Sequence, residues 1–104
     1  MFESKAKIKT LNFLQHIEYL QQKATDRIVN GYQQTEKELI HRFTKEARDL
    51  IEHNEWDIAL ENLLENIYEI DFTIDKPAVD FAKDAIKACG MDYSKWTFIE
   101  DLTN

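Results

Sequence analysis

The 104-residue sequence contains one cysteine, one proline and two glycines. One cysteine excludes a disulfide framework and a zinc ribbon built on paired cysteines. Scarce glycine and proline argue against a β-rich fold with many tight turns. Two glycines are also too few for a glycine-rich phosphate cradle, and neither GxSxG nor GxxxxGK[ST] occurs. No run approaches the roughly 18 apolar residues of a membrane span. The leading Met1-Phe2-Glu3-Ser4-Lys5 has no apolar signal core, so the reading is a cytoplasmic protein. Positive charge is short as well. Thirteen Lys and Arg face 20 Asp and Glu, for a net charge of −7, which disfavours direct contact with a nucleic-acid backbone.

What is present is enough for one globular domain over residues 1–104, since 43% of the residues are hydrophobic and 32% are charged. The charge is uneven. Residues 1–50 carry 9 basic and 7 acidic side chains, and residues 51–104 carry 4 basic and 13 acidic ones. Such asymmetry implies a localised field.

Apolar spacing predicts an all-α fold: a compact bundle of four main helices plus a short C-terminal helix. The first helix is expected from Lys5 to Val29, with Ile8, Leu11, Leu14, Ile17, Leu20, Ala24 and Ile28 on its buried face and Asn30-Gly31 ending it. The second spans about Glu36 to His53, with Thr35 and Glu38 as a capping box. The third runs from about Asn54 to Asp71, burying Trp56, Ala59, Leu60, Leu63, Ile67 and Ile70. The fourth opens at Asp75, with Pro77 in its first turn, Ile74 and Val79 as a hydrophobic staple, and Gly90 as its stop. The short fifth begins near Ser94 and uses Trp96, Ile99 and Leu102. Phe72-Thr73-Ile74 is the most β-like stretch and reads as a connector.

Catalytic chemistry finds little to work with. His16, His41 and His53 match no zinc spacing, and HExxH is absent. Cys89 sits on an apolar arc and reads as a small hydrophobe. The expectation is a non-enzyme with no catalytic residue, cofactor or metal.

The informative feature is an acidic stripe on the third helix. Asp57, Glu61, Glu65 and Glu69 form an i, i+4 column with no Lys or Arg anywhere in that helix. Like charges at this spacing cost roughly 0.2–0.5 kcal/mol per pair, a local conflict of the kind that marks function. Ile58 and Tyr68 lie beside the column, and Asp71 and Asp75 extend it into the next loop. Carboxylates around an apolar or aromatic anchor suit a protein-binding patch. An acidic helical surface on a non-catalytic domain further suggests a blocker of a basic, phosphate-binding protein such as a nuclease.

The run Glu52 to Ile74, with Glu-Trp-Asp-Ile-Ala-Leu-Glu and then Tyr68-Glu69-Ile70-Asp71, resembles the MafI family and the related immunity proteins of contact-dependent growth inhibition. Gly90-Met91-Asp92 followed by Trp96 fits the C-terminal pattern of those proteins, so the resemblance covers residues 50–102. Glu55, Trp56, Ala59, Leu60, Glu61, Tyr68 and Glu69 match position by position, whereas residues 1–49 match nothing. Asn54 stands where the family often has Gly, and is read as a helix N-cap. The resemblance implies a helical cytoplasmic protein that neutralises one cognate toxin domain, often a nuclease and in some cases an EndoU-type RNase. The alternatives are a helical adaptor with another protein partner, and a phosphorelay domain using His41.

Overall fold

In the computed structural model, which describes residues 4–103, the chain forms four α-helices, one hairpin of two short strands and two 3₁₀ segments. Met1-Phe2-Glu3, on which the reading of no signal core rests, and Asn104 lie outside the described residues. The helices are α1 (Lys5–Gln21), α2 (Glu36–Glu52), α3 (Trp56–Glu69) and α4 (Lys76–Ala88). The fold is all-α, as the apolar spacing predicts. α1 packs along α4 and α2 and also touches α3, while α2 pairs with α3. One core joins them: Phe13, Leu14 and Ile17 of α1, Leu39, Ile40 and Ile51 of α2, Leu60, Leu63, Leu64 and Ile67 of α3, and Ile86 of α4 are all fully buried.

α1 stops eight residues short of its expected end at Val29. Ile28-Val29 form strand β1, paired antiparallel with β2 (Gln34–Thr35) in the register Ile28↔Thr35 and Val29↔Gln34. Asn30-Gly31 is thus the start of a hairpin turn and not a helix stop, with Gly31 at φ +90°. Two β-branched residues followed by Asn-Gly carry the hairpin signal that helical spacing obscured. The buried face of α1 also differs from expectation. Ile8, Leu11, Leu14, Ile17 and Leu20 advance in steps of three, and four such steps drift about 240° around a helix. No single face can hold all five. The face that packs is Thr10, Phe13, Leu14, Ile17 and Leu20, leaving Ile8 exposed, as Ile28 is in the hairpin.

A buried ionic cluster explains the break after α1. Glu36, at the first position of α2, is 6% exposed. Its Oε2 accepts from the Thr25 backbone N–H at 2.7 Å and from the Thr25 hydroxyl at 3.0 Å. Its Oε1 accepts from Arg27 Nε at 3.2 Å and Nη2 at 3.0 Å. Arg27 Nη2 also donates to the Ile70 carbonyl at 2.6 Å, which closes the C-terminus of α3. A buried carboxylate requires partners of this kind, and residues 22–27 supply them by leaving the helix.

The helix ends follow the expected chemistry, with one correction. Thr35 and Glu38 form a complete capping box, Asp75 accepts from the Ala78 N–H at 3.0 Å, and Ile74 and Val79 are both buried beside that cap. Asn54 does not cap α3: it lies at φ +63°, just past the end of α2. There Glu55 N–H donates to the Leu50 carbonyl and Asn54 N–H to the Ile51 carbonyl, the pair of bonds that closes a helix around a left-handed residue. Asp71 (φ +55°) closes α3 in the same way, through Phe72 N–H to Ile67 and Asp71 N–H to Tyr68. Gly90 (φ +72°) closes α4 through Met91 N–H to Ile86 and Gly90 N–H to Lys87.

The expected fifth helix is two 3₁₀ segments, Tyr93–Lys95 and Thr97–Leu102, with Ile99 and Leu102 buried. Its end is tied to the Phe72–Ile74 connector by a parallel bridge, Ile74↔Thr103, in which Ile74 N–H donates to the Leu102 carbonyl at 3.1 Å.

Candidate protein-binding surface

α3 is held from behind by Ala59, Leu60, Leu63, Leu64 and Ile67, which fixes its opposite face toward solvent. Asp57, Ile58, Glu61, Glu65, Tyr68 and Glu69 are all exposed on that face. Ile58 is 44% and Tyr68 46% exposed, large values for apolar and aromatic side chains in a chain with a well-filled core. None of the four carboxylates has an ion-pair partner among the described residues; the ion pairs there are His16–Asp75, Arg27–Glu36, Arg42–Glu46 and Arg48–Glu18.

The column spreads as it rises, because each i, i+4 step turns the helix by about 40°. Asp57 and Glu61 lie on the side of Cys89. The thiol there is pushed up first by burial and then by the field of these two carboxylates, against a hydrogen bond to the Thr10 hydroxyl. Glu69 lies on the hairpin side. There its carboxylate, near the Tyr32 hydroxyl, is the main reason that phenol titrates above its ordinary value. The stripe therefore covers about 120° of the helix circumference.

An aromatic cluster borders it. The Tyr68 and Phe98 rings lie 4.5 Å apart at their centroids, and the Phe98 and Trp96 rings 5.7 Å apart. Phe98 comes from the second C-terminal 3₁₀ segment and Trp96 from the bend before it, and both are half-buried. Phe98 was not marked by the sequence. The 3₁₀ segment folds back onto α3, and that long-range packing brings the ring to Tyr68.

The remaining two predicted site residues sit elsewhere. Asp71 is exposed at the left-handed end of α3. Asp75 is half-buried and engaged twice by one oxygen, Oδ1, with His16 Nε2 at 2.7 Å and the Ala78 N–H at 3.0 Å. Its carboxyl titrates below its ordinary value. Burial, the largest single influence, acts the other way, but the bonds to His16 and the backbone together outweigh it. Asp75 is a cap that pins α4 to α1, not part of the α3 face. Both residues instead line a cleft of about 780 Å³ between the loop after α1 and the connector from α3 to α4.

Among the described residues, no group of three or more His, Cys, Asp or Glu side chains is placed to hold a metal. No helix among them is long and apolar enough to cross a membrane. His41 is exposed, with Nδ1 3.2 Å from the Gln21 side-chain amide. Compared with models of protein families, with curated proteins and with solved structures, the chain matches none.

Proposed function

We propose that the protein is an immunity protein: a stoichiometric inhibitor that binds one cognate toxin domain, a nuclease, and acts in the cytoplasm. The observation that carries this reading is the solvent face of α3. Asp57, Glu61, Glu65 and Glu69 lack ion-pair partners among the described residues and stand next to exposed Ile58 and the Tyr68–Phe98–Trp96 cluster. Unpaired carboxylates give long-range attraction to a basic surface, and desolvated aromatics give short-range hold. A nuclease cleft is basic because it holds phosphates, and this face offers it negative charge in protein form. The resemblance of residues 50–102 to the MafI family points the same way.

The test is co-expression and co-purification with the toxin domain encoded immediately upstream. The reading predicts a one-to-one complex at low salt and protection of cellular RNA or DNA. Absence of association at low salt, together with absence of protection, would refute it. A stable complex with a partner that is neither toxin nor nuclease would assign the same face to an adaptor.

A further inference from the structure

The cleft between the loop after α1 and the α3–α4 connector lies apart from the α3 face and stands on its own observations. Leu20, Phe72 and Ile74 form its apolar floor, and Lys23, Arg27 and Lys76 contribute cations to its wall. At about 780 Å³ it falls within the range of about 300–1,000 Å³ typical of small-ligand sites.

The charges that line it are not equally free. Both oxygens of Glu36 are taken, Oε1 by Arg27 and Oε2 by Thr25. Asp75 Oδ1 is held by His16 and the Ala78 N–H. Asp71 alone keeps a carboxylate with no hydrogen bond among the described residues. On the cationic side, Lys23 and Lys76 have no ion-pair partner there; the Lys23 ammonium rests 5.2 Å over the Tyr19 ring. Arg27 is the informative group. Its Nε and Nη2 are anchored by Glu36 and the Ile70 carbonyl, while Nη1 has no partner among the described residues. A guanidinium fixed along one edge presents its remaining N–H groups at little entropic cost, which is how Arg recognises oxyanions.

We infer that this cleft binds a carboxylate carried on a small apolar body. Arg27 Nη1 donates to the carboxylate, Lys23 and Lys76 offset the Asp71 and Asp75 carboxylates in the wall, and the Leu20, Phe72 and Ile74 floor takes the apolar part. The group could come from the C-terminus of a peptide chain or from a free acid, and the chemistry at the cleft is the same.

Amide NMR of the whole protein tests this with three probes: 4-methylpentanoate, its amide, and an N-acetylated tripeptide ending in leucine with a free carboxylate. The expected result is saturable shifts confined to Thr25, Arg27, Thr73 and neighbouring amides with both acids and none with the amide. Lys23→Gln/Lys76→Gln, a pair of exposed substitutions that leave the core untouched, should weaken binding roughly tenfold. Asp71→Asn, which removes the one free carboxylate, should tighten it. Stronger binding of the peptide would assign a chain terminus as the source, and stronger binding of the free acid a small molecule. Absence of saturable shifts, or equal binding of acid and amide, would overturn the inference.

Discussion

Single residues carry stability here where a polar group is buried. Glu36 is the clearest case, because its carboxylate is nearly inaccessible and every acceptor site on it is used. Arg27→Ala leaves that carboxylate without its counter-charge and uncaps the end of α3. It should cost about 2 kcal/mol in urea unfolding, with the Glu36→Gln/Arg27→Ala pair costing less than the two singles together. Tyr93 gives a pH signature. Burial first, and then the hydrogen bond to Glu100 at 2.8 Å, push its phenol up to about 12. A raised folded value favours the neutral form in the native state. The associated stability is therefore complete below the unfolded value of about 10 and is lost as pH rises toward about 12. Tyr93→Phe should flatten that alkaline decline, read as unfolding free energy against pH. None of the sequence patterns pointed to Glu36 as buried, since a glutamate in the first turn of a helix reads as a solvated helix-dipole residue. Its burial depends on Arg27 and Thr25 arriving from a loop that apolar periodicity alone reads as part of α1.

Among the elements, the legible ones were those with both an apolar arc and a marked end. α2 and α4 carry capping residues at one end and well-separated faces, and their boundaries fall within a residue or two of expectation. α1 misled because its apolar residues recur every third position, which winds around the helix and continues smoothly into a hairpin strand. α2, α3 and α4 end alike, on Asn54, Asp71 and Gly90 in the left-handed region. Position 54, at φ +63°, is one that glycine adopts without strain. Asn54→Gly should stabilise the protein by about 0.5 kcal/mol. Gly90→Ala should destabilise it by about 1 kcal/mol, although a Cβ at Gly90 meets open space, because the cost is conformational and not steric. Thermal unfolding of the two variants checks both signs.

For the whole molecule, the sequence already located the acidic charge. The exposure of Asp57, Ile58, Glu61, Glu65, Tyr68 and Glu69 follows from the helical period alone. Two things were not legible. Phe98 joins the patch only because the C-terminal segment folds back on α3. Asp75, read as part of the acidic surface, is engaged by His16, a residue 59 positions away. The remaining α3 face is uncompensated charge, and that has opposite consequences for folding and for binding. Glu61→Lys/Glu65→Lys makes the 57–61 and 65–69 steps of the i, i+4 column attractive and leaves one like-charge step, 61–65, where there were three. The free protein should therefore gain roughly 1 kcal/mol, measured by urea unfolding. The same change removes the field proposed to draw in a basic partner.

That opposition makes one measurement decisive: stopped-flow association of the protein with the toxin domain encoded beside it, over a series of salt concentrations. The account predicts fast, steeply salt-dependent association for the natural chain. It predicts association at least roughly tenfold slower, with a flatter salt dependence, for the more stable Glu61→Lys/Glu65→Lys variant. Association of the variant at the natural rate, with the natural salt dependence, would contradict the assignment of the α3 face as the docking surface.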